Sequence, residues 1–72
     1  MGKRMILTEE GILINFSNVT DLEIISDSLV AHTVTKEVIH IKTFETTEEA
    51  IIIMKMIPSH LLRDGFITFA GV

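Results

Sequence analysis

Apolar and polar positions change their pattern once along this chain. Up to Phe44 the apolar residues come in short runs of one to three, several of them alternating with polar ones; after the polar cap at Thr46 to Glu49, five follow without interruption from Ala50 to Met54. Alternation places successive side chains on opposite faces of a strand. Met5-Ile6-Leu7 reads as a first strand, and Thr8-Glu9-Glu10-Gly11 as a turn in which Gly11 can take a positive φ. Ile12 to Phe16 forms the second strand, with Ile12, Ile14 and Phe16 on one face, and Ser17-Asn18 turns the chain. Val19 to Ile25 is a third extended segment: Leu22 and Ile24 point one way, Asp21, Glu23 and Ile25 the other. After Ser26-Asp27-Ser28, the β-branched stretches Leu29 to Thr35 and Val38 to Phe44 predict a hairpin across Lys36-Glu37. A two-residue turn there sets Val34 opposite Ile39 and His32 opposite Ile41.

The run Thr46-Thr47-Glu48-Glu49-Ala50-Ile51-Ile52-Ile53-Met54-Lys55-Met56-Ile57 predicts the one main helix. Thr46 is its N-cap, and Glu49 completes a capping box. Glu48 and Glu49 suit the positive end of the helix dipole. Pro58 is expected to end or kink the helix near Ile57, because it has no amide proton to donate. Ser59 would cap one further turn to Arg63, Asp64-Gly65 would stop it, and Phe66 to Ala70 would form a final strand or an extended tail.

At about 100° per residue, Ala50, Ile53, Met54 and Ile57 share the stripe expected to lie on the sheet, with Glu48 and Lys55 on the wet side. Ile51 on one flank and Ile52 and Met56 on the other are a surplus. Either the segment Leu61 to Phe69 folds back over them, or they form an interface. The expectation adopted is an interface of Ile51, Ile52, Met56, Leu62 and Phe69.

Composition sharpens that expectation. At 72 residues there is room for one domain, with the sheet over 5–44, the helix over 47–57 and a C-terminal turn and strand or tail over 59–70. A chain this short buries only roughly 60% of its unfolded surface. There is no cysteine to staple it, and three scattered histidines do not make a closed zinc site, so no metal and no cofactor is expected. Oligomerisation is the remaining supplement. Apolar residues are 47% of the chain and mean hydropathy is +0.47, leaving much apolar surface to cover. A net charge of -4 argues against binding a nucleic-acid backbone, and Lys3-Arg4 is the only adjacent basic pair. The apolar stretch at the start is too short for a signal peptide, and Ala50 to Met54 too short to span a bilayer, so no membrane partner is expected. The lack of cysteine suits a reducing cytosol, so the expected location is cytoplasmic.

Catalytic chemistry finds little to build on. His32 and His40 lie on neighbouring predicted strands and would face each other if the register moved by one residue, but no third ligand has a defined spacing. Glu9-Glu10 sits in a turn and Glu48-Glu49 opens a helix, and neither pair has an interior in which to act as an acid-base couple. Ser17, Ser26, Ser28 and Ser59 lack a nucleophile frame, and the four glycines are too dispersed for a phosphate loop. No catalytic residue is assigned, and no enzyme activity is expected.

An N-terminal hairpin, further antiparallel strands, and Lys42-Thr43-Phe44-Glu45-Thr46-Thr47-Glu48-Glu49-Ala50 leading from strand to helix together resemble small uncharacterised β-meander-plus-helix proteins of Gram-positive bacteria and their phages. The resemblance covers residues 5 to 57 and implies a fold and a mobile-element origin. The fold expected is therefore α+β: an antiparallel sheet of four to five strands, after a β-meander, with one helix packed on a face. The function expected is a non-catalytic interaction or regulatory module acting as a homo-oligomer, with a host or phage protein as a further partner, in the manner of an encoded inhibitor. The alternative is an oligomer that sequesters a small ligand or nucleotide at subunit interfaces, with Lys42, Lys55, His60 and Arg63 contacting phosphate.

Overall fold

The computed structural model describes residues 3–70. The strands are β1 (Met5–Leu7), β2 (Leu13–Asn15), β3 (Val19–Ile25), β4 (Ser28–Thr33), β5 (Val38–Thr43) and β6 (Phe66–Thr68). A single 3-10 turn covers Phe16–Asn18, and the helix α1 spans Thr47–Asp64. The class is α+β, as expected. The single sheet of four to five strands is not what forms: there are two three-stranded sheets, ordered β2-β1-β6 and β3-β4-β5.

The β3-β4-β5 sheet is an antiparallel meander of consecutive strands. Its first turn works through Ser26 at φ 61, and its second differs from the two-residue turn expected. Thr33 N–H donates to the Glu37 carbonyl, and Lys36 takes φ 68, so the loop holds Val34, Thr35 and Lys36. A three-residue hairpin loop needs its last residue in the left-handed region. The Thr33 hydroxyl supports it by accepting from the Glu37 amide at 3.1 Å. The register therefore pairs Ala31 with Ile39 and His32 with Val38, not His32 with Ile41.

In the other sheet β1 is central. It runs antiparallel to β2 and parallel to β6, with Met5 beside Phe66 and Leu7 beside Thr68. The parallel partner arrives from the far end of the chain through the helix, as parallel strands require a crossover. Thr8, fully buried, closes the β1–β2 turn by accepting from the Ile12 amide at 3.0 Å, and Gly11 takes φ 91 there. The two sheets are joined where Glu9 N–H donates to the Ile41 carbonyl at 2.9 Å, and Val34 N–H extends the β3–β4 ladder by donating to the Asn18 carbonyl at 2.9 Å.

The helix rests against β6, β3 and β4, so it contacts both sheets. The core between them contains Ile6, Ile14, Leu29, Ala31, Ile41, Phe44, Ala50, Ile57 and Leu61. The helix begins as expected: the Thr46 hydroxyl accepts from the Glu49 amide at 3.1 Å. The Glu49 carboxylate reaches back one residue further than a standard capping box, to the Glu45 amide at 3.4 Å. It does not stop at Ile57. Pro58 lies inside the helix and is exposed, and it has no amide to donate to the Met54 carbonyl one turn back. Leu61, 1% exposed, continues the inward stripe one turn past the proline, and its burial holds the last turns helical. Ser59 is not a fresh cap; its hydroxyl donates back to the Met56 carbonyl. Gly65 at φ 78 ends the helix, its N–H donating to the Leu61 carbonyl. Beyond Gly65 the chain forms the strand β6 rather than a loose tail.

The accessible surface is 4726 Å². A compact monomer of this mass is expected to expose about 4,500 Å². The chain is thus folded tightly, and its exposed apolar area comes from which residues face out.

Candidate functional site

The helix sorts its side chains into three stripes at about 100° per residue. Ala50, Met54, Ile57 and Leu61 face the core, with Ile53 beside them. Glu48, Ile52, Met56, Ser59 and Arg63 form a second stripe on the opposite side, and all five are exposed. Ile51, Pro58 and Leu62 make a third, separated from the second by Lys55. Ile52 is 64% exposed, Met56 44% and Leu62 70%.

The five expected interface residues therefore do not form one patch. Ile52 and Met56 share the outward stripe; Ile51, half-buried, and Leu62 lie across Lys55 from them. Phe69 is half-buried, its ring edge-on to Phe44 with centroids 6.4 Å apart. It reaches the outward stripe through a small groove of about 90 Å³ lined by Ile53, Met56, Ile57, His60, Ile67 and Phe69. The returning C-terminal segment forms one wall of that groove and leaves Ile52 open.

The four expected phosphate contacts are dispersed. The Lys42 ammonium sits 3.6 Å from a Glu9 carboxylate oxygen and 5.7 Å from the centre of the Phe44 ring. His60 and Arg63 do meet, with Arg63 Nη2 3.3 Å from His60 Nδ1. Both are also on Asp64, at 3.2 Å from His60 Nε2 and 3.4 Å from Arg63 Nε. They stand in the last turn, where the helix dipole is negative and disfavours an anion. Lys55 forms no ion pair with either group among the described residues.

Two features had no signal in the sequence. The β1–β2 turn brings Glu9 and Glu10 onto β5 beside His40, thirty residues away, so that one donor atom from each lies within 4.8 Å of the others. This is the donor set of a metal site, but its atoms are already engaged in hydrogen bonds. His40 Nδ1 is 2.9 Å from Glu10 Oε2, while Nε2 is 2.9 Å from the Thr43 hydroxyl, so both ring nitrogens are engaged. The Lys42 ammonium already neutralises Glu9. His32 is likewise held by Glu23, so the two histidines do not face one another across the sheet. The second feature is a groove of about 340 Å³ between β2 and the β4–β5 loop. Leu13 and Val34 line it and are exposed, with Thr33, Thr35 and Glu37 as its polar wall.

No helix among the described residues is long and apolar enough to cross a membrane. Comparison with protein families, with curated proteins and with solved structures finds no match to this chain.

Proposed function

We propose that this chain works by binding rather than by catalysis, as a small homo-oligomeric interaction module. The observation that carries the reading is the outward stripe of α1. It presents Ile52 and Met56 to solvent on a regular element whose opposite face is fully used by the core. Contiguous exposed apolar surface marks interaction sites, and methionine is enriched at them. A second copy is the partner proposed. The proposal extends to a regulatory role, in which the assembled module would bind a host or phage protein; the resemblance to phage and bacterial meander-plus-helix proteins bears on fold and origin, not on this activity.

An anion- or nucleotide-sequestering oligomer has less support, because Lys42, His60 and Arg63 each sit against a carboxylate. The proposed reading is tested by light scattering coupled to size exclusion over a concentration series. A mass at or above twice 8.1 kDa, lowered by Met56→Asp, is the expected result. A mass of 8.1 kDa at every concentration would remove the homo-oligomer.

A further inference from the structure

The outward stripe of α1 has a charge order that specifies how a second copy would sit on it. Along the helix it runs Glu48, Ile52, Met56, Ser59, Arg63, spaced by four, four, three and four. It is therefore acidic at its first turn, apolar in the middle and basic at its last turn. Such a stripe is self-complementary only when reversed.

We infer that two copies associate through an antiparallel, two-fold pair of α1 helices, with the axis passing between Lys55 and Met56. This rests on the homo-oligomer proposed above and adds its geometry. In an isologous contact, residue i meets residue j and j meets i. With the axis between Lys55 and Met56, Ile52 packs beside Ser59 of the second copy, Glu48 meets Arg63 at both ends of the pair, and the two Met56 side chains lie next to each other across the axis. Ser59 is small, which lets the backbones approach and gives Ile52 a place to sit. Glu48 forms no ion pair among the described residues, and the Arg63 side chain is 72% exposed, held only by contacts of 3.3–3.4 Å to His60 and Asp64. Glu48 is thus free to pair, while Arg63 would be shared between its own Asp64 and Glu48 of the second copy. A parallel pair would set Glu48 against Glu48 and Arg63 against Arg63, and like charges at such flanking positions select against that orientation.

The native chain has no cysteine, so single cysteines report the register without background. A disulfide requires Cα atoms within about 7 Å. Under mild oxidation Met56→Cys should cross-link to itself. Glu48→Cys and Arg63→Cys should each stay uncross-linked alone and form a heterodimer when mixed. Independently, Glu48→Arg and Arg63→Glu should each lower the dimer fraction, and the double variant should recover it, a pattern that simple destabilisation of the fold does not produce. Cross-linking of Glu48→Cys with itself would overturn the antiparallel pair. So would a dimer by light scattering in which none of the three cysteines reacts; that result would move the contact off this face of α1 while preserving the homo-oligomer. A monomeric mass with no cross-linking would overturn both.

Discussion

One helix carries two apolar stripes with opposite fates. Ala50, Ile57 and Leu61 are 0%, 0% and 1% exposed, whereas Ile52 and Met56, on the same turns, are 64% and 44% exposed. Residue type does not distinguish them, since isoleucine stands on both sides. What distinguishes them is supply: two three-stranded sheets cover one side of a helix and part of its flank, and nothing in the described chain reaches the other. The inner stripe accounts for the fold, and the outer one is where binding is proposed.

The contrast can be broken or sharpened by substitution. The largest effect is expected at Ile57→Ala, which leaves a cavity under a fully buried side chain and should cost about 2–5 kcal/mol, read from denaturant unfolding. Leu61→Ala should cost a similar amount at most, and it should do something more specific. With the burial beyond Pro58 gone, the last turn should fray, and amide exchange after Ile57 should speed up more than exchange in the first turn. Uniform exchange along the helix would show that Leu61 is not what carries it past the proline.

Pro58→Ala acts in the other direction. It restores one helical hydrogen bond and removes the ring clash, offset by a more flexible unfolded chain, for a net gain of about 1–2 kcal/mol. For a domain of this size each 1 kcal/mol moves Tm by about 4–8 °C. A lowered Tm would mean that the proline ring itself packs. Thr46→Ala removes the cap on the Glu49 amide and should cost about 1 kcal/mol. The smallest effect on the fold is expected at Ile52→Asp, within about 0.5 kcal/mol for the isolated chain. A severe loss of stability in a demonstrably monomeric sample would place Ile52 in the fold and dissolve the contrast between the stripes.

Much of this fold was legible locally. β3 occupies the residues its alternation predicts, with Leu22 and Ile24 half-buried and Asp21, Glu23 and Ile25 exposed. Thr46, Gly11 and Gly65 act at the positions their chemistry suggests. The errors share a cause. The β4–β5 register depended on whether Lys36 would accept a positive φ, which its side chain does not advertise. The length of α1 depended on Leu61 finding a core on the far side of a proline. Division into two sheets depended on β6 pairing with β1, more than fifty residues away, and a three-residue strand has too short a pattern to announce its partner. For the site, exposure of Ile52 and Met56 could be read from the helical spacing alone. The separation of Leu62 from them could have been counted out the same way, had the helix been extended past Pro58. The meeting of His40 with Glu9 and Glu10 could not, since only the folded turn brings them together.

The parallel pairing of β1 with β6 also sets an order of events in the cell. The meander of β3, β4 and β5 can form as soon as its own residues emerge from the ribosome, and β1 can find β2 early. β1 cannot acquire its second neighbour until Phe66 to Thr68 have been synthesised and released from the tunnel. Contacts that distant in sequence are slow to form and leave apolar surface open meanwhile. For that interval Ile6 lacks its second neighbouring strand and the inner stripe of the helix is incomplete, so the emerging chain exposes apolar surface that the completed fold covers.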